Sequence, residues 1–422
     1  MIFNLTSFLV KLPEKGLFIL KINSFKKLIK YINDVYNIDQ QLEKLTDGRI
    51  HPSYRTGKVI LPVLIGFLLK VKSFNELNYL LKENEFGNIL SRSEKFSSID
   101  TIRNTLKVID LCGLRNINKK IIKKAIRNKV FSNGTIDGYT VAAIDGTKIF
   151  GSNKKSCIKC LSMEIINRKH YYHSASVMSL VGSGLNLVLD YEMYNFKIDS
   201  TKKDEGELNV SKRLLSRVIN QHRNFIDIIT YDALACNSIF INHCIESGVD
   251  AVIRVKKNKN NSIREVKRVV NKKEVSEIWQ NRNEKIFVSE EIFYMKGVDK
   301  PLRYVKFAKR KSELERSQIL IVTTCTKMKL KTLYKIIKAR WEIENSVFNT
   351  LKNEAALGHC FVHGGNAVEA ILYCIFIASN LFQLFKQRRI KNYIGSQREL
   401  VRQLFKGLYL FNYHNCLIYD TT

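Results

Sequence analysis

The hydrophobic period of this chain changes once, near Tyr139, and that change limits the possible fold more than any other feature. Before it, apolar residues recur at three- and four-residue spacing across residues 59–72 and 74–82, the pattern of helices with a buried face. Asp100 is placed to cap a further helix over 101–111. After it, residues 139–149 are β-rich, and 171–181 and 185–194 flank the turn Gly182-Ser183-Gly184 as a hairpin would. A helix at 206–220, a strand at 225–231, a helix at 237–247 and a strand at 250–255 follow. A hairpin that passes into strand–helix alternation predicts a mixed α/β sheet.

The alternation breaks over 256–316, a highly charged stretch with short β-like pieces at 286–294 and 303–308, which reads as a β-rich insertion. The sheet pattern resumes at 319–324, followed by one long helix over about 330–353 and an apolar helix over 367–385. The expected organisation is a helical region over 1–135, core segments over 136–255 and 317–385 around the insertion, and a basic tail over 386–422.

Charge then narrows the partner. Lys and Arg number 70 against 39 Asp and Glu, a net charge of +31, while 45% hydrophobic residues suffice for a packed core. So strong a skew attracts polyanions, of which nucleic acid is the commonest. Nine Lys or Arg against one acid lie between Arg103 and Lys129, and seven against one between Lys386 and Lys406. Each such residue set on a phosphate releases condensed counterions, although a solvated helix face has the same composition. A membrane partner needs an anchor. The apolar run 1–10 has no basic region before it, and 59–69 and 370–382 fall short of the ~20 residues of a spanning helix. The second also contains Asn380. Both read as buried helices, and the expected location is the cytoplasm. Nine cysteines, an odd number without an export signal, favour free thiols. Cys157 and Cys160 form a CxxC for which His170 and His173 are the near candidates to complete a zinc site; a thiol pair at a sheet edge is the preferred reading.

Three acids occupy places that such a sheet would bring together. Asp145 ends the apolar run Val141-Ala142-Ala143-Ile144, Asp232 ends Ile228-Ile229-Thr230-Tyr231, and Glu344 lies on the long helix after the last strand. An acid directly after a buried strand is costly unless it is capped, paired or bound to metal. Strand-end aspartates also commonly act as helix caps. Three converging carboxylates would select a hard divalent cation, and two such ions can activate a water and stabilise a leaving 3′ oxygen.

Together the motifs Ala143-Ile144-Asp145-Gly146-Thr147, Tyr231-Asp232-Ala233-Leu234-Ala235 and Arg340-Trp341-Glu342-Ile343-Glu344-Asn345 resemble those of the DDE transposases of bacterial insertion sequences, in the branch with a β-rich insertion between the second Asp and the Glu. The resemblance covers roughly residues 90–385. It implies an RNase H-like catalytic core, catalysis and metal binding by Asp145, Asp232 and Glu344, and two ions of Mg²⁺ or Mn²⁺. It also implies action on inverted-repeat ends and target DNA, a homodimer in the synaptic complex, and a bacterial, nucleoid-associated setting. Glu344, four residues after Arg340, is preferred over Glu342. Relatives carry a Lys seven residues after the Glu where this chain has Leu351, so Lys352, one place on, is the substitute candidate.

Further DNA contacts are expected from Arg340, from Arg254 and Lys256 with the neighbouring Lys257 and Lys259, and from Arg103 and Lys107 on one face of the 101–111 helix. Trp279 is read as packing inside the insertion, and His359 and His363 as packing or phosphate contacts. No phosphate-cradling or dinucleotide glycine motif is present, so ATP is not expected. Two rival functions remain: a nuclease that cleaves without joining, and a degenerate end-binding repressor.

Overall fold

A computed structural model describes residues 24–82, 96–165, 167–195, 205–256, 260–281, 284–310, 316–390, 393 and 395–406. The apolar run 1–10, Lys257, Lys259 and the end of the basic tail lie outside the described residues. Six helices come first: α1 Ser24–Tyr36, α2 Ile38–Glu43, α3 Thr56–Leu68, α4 Phe74–Lys82, α5 Ile99–Val108 and α6 Leu111–Arg127. Then follow β1 Val141–Ser152, β2 Leu161–Ile165, β3 Arg168–Leu180, β4 Val188–Met193, α7 Glu207–Gln221, β5 Ile228–Tyr231, α8 Ser238–Glu246 and β6 Asp250–Val255. Residues of the expected insertion supply α9 Asn261–Lys272, β7 Glu277–Asn281, β8 Glu284–Phe293 and β9 Leu302–Arg310. The chain continues through β10 Arg316–Thr323, α10 Leu330–Ala339, α11 Asn349–Glu354 and α12 Ala367–Arg389.

Among the described residues the strands form one sheet in the order β2-β3-β1-β5-β6-β10-β9-β8-β7, with β4 sharing the outer edge of β3 with β2. The β4–β3–β1 part is antiparallel and the β1–β5–β6 part parallel, joined through α7 and α8. This is the mixed sheet of an RNase H-like core. Strands β7–β9 do not build a sheet of their own; they extend the core sheet beyond β10. Trp279 packs against Phe307 and Tyr334, with ring centroids 6.2 and 6.1 Å away.

Local chemistry corrects two helices. Asp100 is not the cap of the fifth helix: the Ser98 hydroxyl accepts from the Thr101 N–H, and Asp100 sits in the first turn, 3.1 Å from Arg103. The chain then breaks at Ile109, and Asp110 caps α6 through the N–H groups of Cys112 and Gly113. The long helix expected over 330–353 is interrupted by a π-helical segment, Ile343–Phe348, between α10 and α11. Such bulges insert an extra residue per turn and often mark functional sites. Here the segment buries Ile343, Val347 and Phe348 while leaving Glu344 accessible.

The helical layer is joined to the core through α12. This helix is long and apolar enough to cross a membrane, but 83% of its apolar window is buried inside the fold. Asn380 explains how a polar residue is tolerated there. Its Oδ1 accepts from the Val188 N–H at 2.8 Å, and its Nδ2 donates to the Val188 carbonyl and to Asn118 Oδ1 at 2.8 and 2.9 Å. One side chain thus closes the free edge of β4 and ties α6 to it. Beside it, buried Asp190 accepts from Arg217 Nε at 2.7 Å and from the Tyr373 hydroxyl at 3.1 Å. Asn380→Leu leaves the buried Val188 N–H and Asn118 Oδ1 unpaired, while the Val188 carbonyl keeps Asn118 Nδ2 at 3.2 Å, so stability should fall by about 2 kcal/mol or more. The shift of the urea midpoint measures this, and a change under about 0.5 kcal/mol would refute the account of this contact.

Candidate active site

Strand β1 is buried from Val141 to Ile144 and opens at Asp145 and Gly146. Its parallel partner β5 pairs Val141 with Ile228, Ala142 with Ile229 and Ala143 with Thr230. Carrying that offset two residues further puts Asp232 level with Asp145, on strands about 4.8 Å apart and on one face of the sheet. Asp232 Oδ1 accepts from the Leu234 N–H at 2.8 Å, capping the single turn Ala233–Ala235, while Oδ2 lies 4.0 Å from Lys256 Nζ. The strand-end aspartate is therefore a cap whose second oxygen faces Lys256.

Burial pushes the Asp145 carboxyl up to about 7, with the charges of Glu344 and Glu207 adding to the shift and Arg340 opposing it. Glu344 therefore lies close enough to Asp145 to repel it. Glu344 is 45% exposed and stands 2.8 Å from Arg340 NH1, an ionic contact without the alignment of a hydrogen bond. Glu342, the competing glutamate, instead accepts from the Gly182 N–H at 2.9 Å. Gly182 has φ +100° and a Cβ there would overlap Ile136, so the hairpin turn that Glu342 anchors requires glycine.

Sequence reading missed Glu207. It stands in the first turn of α7, and its Oε1 accepts from the Tyr231 hydroxyl at 2.9 Å, which in turn contacts Ser211 at 2.7 Å. A Cβ on Gly146 would come within 3.0 Å of the Glu207 carboxyl and the Tyr194 hydroxyl, so this glycine lets the fourth acid approach Asp145. The signal available beforehand was an acid opening a helix directly after the hairpin. Residue type alone does not aim it at Asp145.

The basic candidates divide. Lys256 and Lys352 are exposed, Lys352 with its Nζ 6.0 Å from the Phe348 ring. Arg340 is 2% exposed, and its guanidinium stacks on Trp341 at 5.0 Å. The other arginine on that ring is half-buried Arg254, at 4.8 Å. Arg340, expected to fork onto a phosphate, is buried with its guanidinium beside Glu344. Arg103 and Lys107 lie on α5 with Arg103 half-buried and Lys107 exposed, away from its buried face of Ile102, Thr105 and Leu106. At the end of α12, exposed Arg388 donates to the Asn128 carbonyl at 2.7 Å and exposed Arg389 lies over the Tyr31 ring.

The histidine expectations also change. His170 bonds Asn153 Oδ1 at 2.6 Å and does not join the CxxC. His363, expected to pack or touch phosphate, meets Cys157, Cys160 and His173 instead. Among the described residues the three acids are not drawn together as tightly as that cluster, in keeping with three charges that repel.

A cation fits the acid site, because burial first, and then the charges of Glu344 and Glu207, disfavour the ionised Asp145 carboxylate, and a bound positive charge would offset both. This has a measurable consequence. In metal-free protein the folded chain keeps the Asp145 proton to about pH 7, whereas the unfolded chain releases it near 4. The contribution of this group to stability is full below pH ~4 and is lost as pH rises toward 7. Asp145→Asn removes that loss, so in EDTA its melting temperature should exceed the parent's at pH 8 and the gap should shrink toward pH 5. Mg²⁺ should narrow the gap at pH 8. A gap of the same size at both pH values would contradict the crowding.

No curated protein sequence matches the chain. Among solved structures, a cryo-EM structure of a piggyBac transposase synaptic complex with hairpin DNA is similar, at 15% identity and a TM-score of 0.45, covering 91% of this chain and 79% of that one. The profile of the transposase DDE domain matches residues 137–381, which span β1 through most of α12 and include Asp145, Asp232 and Glu344. With more than half of its 422 residues matched in this way, the chain belongs to the DDE transposase family.

Proposed function

We propose that this transposase binds the inverted-repeat ends of its own insertion sequence, cuts the DNA there and joins the freed strand to target DNA. The single observation carrying the reading is the crowding of Asp145, whose carboxyl is raised by burial, Glu344 and Glu207 at the strand end shared with Asp232. Asp145, Asp232 and Glu344 would hold divalent cations, Mg²⁺ or Mn²⁺ and two in number, which when bound activate a water and stabilise the leaving 3′ oxygen. Arg340 holds Glu344 through their ionic contact, and its guanidinium shares the Trp341 ring with that of Arg254. Lys256 and Lys352 are the exposed cations left to meet the DNA backbone around the acids. Arg103 and Lys107, one turn apart on α5, serve end recognition. The net charge of +31 supports a long polyanionic partner, with a homodimer bridging two ends.

The test is a reaction of the purified protein with a duplex carrying the repeats that flank its coding sequence, a supercoiled target and Mg²⁺. Covalent attachment of the end's 3′ strand to the target is expected. Cleavage without attachment would leave the nuclease reading. Binding of ends with neither reaction would leave the repressor.

A further inference from the structure

A second cluster of metal-ligating side chains lies apart from the acids and plays no part in the chemistry above. Cys157 and Cys160 sit in the β1–β2 connection, where the Cys160 N–H donates to the Cys157 carbonyl in a tight turn. His173 is buried on β3, and His363 lies between α11 and α12. The Sγ–Sγ distance is 3.7 Å. His173 Nε2 is 3.5 Å from Cys157 Sγ and 3.4 Å from Cys160 Sγ. His363 Nε2 is 3.3 Å from Cys160 Sγ and 3.3 Å from His173 Nε2. The remaining pair also lies within 4.8 Å.

The five measured separations match edges of a tetrahedron. An ion with Zn–S bonds of about 2.3 Å and Zn–N bonds of about 2.0–2.1 Å needs S–S, S–N and N–N edges of about 3.8, 3.6 and 3.3 Å. A hydrogen bond between the two imidazoles would account for one of the contacts, but not for both sulfurs converging on the same nitrogens. Both thiols are free, and the Cys157 N–H donates to Cys160 Sγ at 3.3 Å, which turns that sulfur toward the cluster. Thiolate and imidazole donors select zinc over the hard cations suited to carboxylates.

We infer that Cys157, Cys160, His173 and His363 form a structural zinc site. Four protein ligands close the coordination sphere and leave no open position for water or substrate. The ion pins the β1–β2 connection and β3 to the segment that carries the chain out of the Glu344 helix and into α12. Lys159, between the cysteines, already reaches the same place through Glu369 at 3.1 Å and Asn366 at 3.4 Å. The site therefore holds the lead-out of the catalytic helix against the hairpin, and it does so whether or not DNA is bound.

The test is metal analysis of the full chain purified without chelator and dialysed against Mg²⁺ buffer. About one zinc per chain is expected. Cobalt exchanged into the site should show tetrahedral visible bands and a sulfur-to-metal charge-transfer band. Cys160→Ser and His363→Ala should each lose the zinc, whereas His170→Ala, beside the cluster in sequence but bonded to Asn153, should keep it. Should a variant fail to fold, thiol titration of the parent decides: Cys157 and Cys160 should react slowly until a zinc chelator is added. Zinc absent from the parent, a cobalt spectrum without sulfur ligation, a Cys157–Cys160 disulfide in the purified protein, or zinc retained by His363→Ala would each overturn the assignment. None of these readouts involves DNA, so their failure leaves the transposase reading untouched.

Discussion

Asp145→Asn, Asp232→Asn and Glu344→Gln should each lower strand cleavage of end DNA by about 10³-fold or more, with end binding within a few-fold of the parent. Each exchange keeps the shape of the side chain and removes one negative charge from the group that would hold the cations. Binding should survive because the exposed cations Lys256 and Lys352, proposed above to meet the DNA backbone, are kept in all three variants. Glu342→Gln should behave differently. Its carboxylate anchors the Gly182 turn, so that exchange should reduce stability modestly and leave the folded fraction cleaving. Single-turnover cleavage alongside gel-shift titration separates the two effects. Normal cleavage by Glu344→Gln with loss in Glu342→Gln would mean that the wrong glutamate had been assigned.

Deleting residues 1–135 should abolish folding, where the sequence pattern alone suggests a detachable recognition region. Helix α12 would lose its cover along most of its length. The Tyr31 ring lies 5.7 Å from Phe385, Phe67 and Phe74 pack on Phe361, and Asn118 completes the Asn380 network. The Asn366 N–H and amide also donate to the carbonyls of Lys107 and Ile109. Exposing this many large apolar side chains, at about 1.5–3 kcal/mol each, is enough to offset the usual 5–15 kcal/mol of net stability. Circular dichroism and thermal unfolding of the 136–422 fragment check this, and a cooperative transition near that of the parent would refute it. End recognition is therefore better tested in the intact chain. Replacing Arg103 and Lys107 with alanine should weaken preference for end DNA without unfolding α5, whose buried face is Ile102, Thr105 and Leu106.

The sequence by itself determined the class of sheet, because hairpin and alternating patterns differ in period and the parallel strand β5 is short and wholly apolar or buried. It also singled out the two aspartates as candidates: an acid that closes a buried strand stands out without any knowledge of its neighbours. Helix boundaries were less legible. Asp100 and Ser98 are both good caps, and only backbone geometry decides between them. The π-helical segment carries no composition signal, since it arises from how Ile343, Val347 and Phe348 must be buried together. Tertiary structure alone decided the rest. It merged the expected insertion into the core sheet, turned Arg340 inward, and aimed Glu207 at Asp145 through the missing side chain of Gly146. It also set His363 beside Cys157, Cys160 and His173, across 190 residues from the nearer histidine. Periodicity and local motifs report contacts within a turn or a strand, whereas convergence of side chains from distant segments depends on how helices and sheet pack.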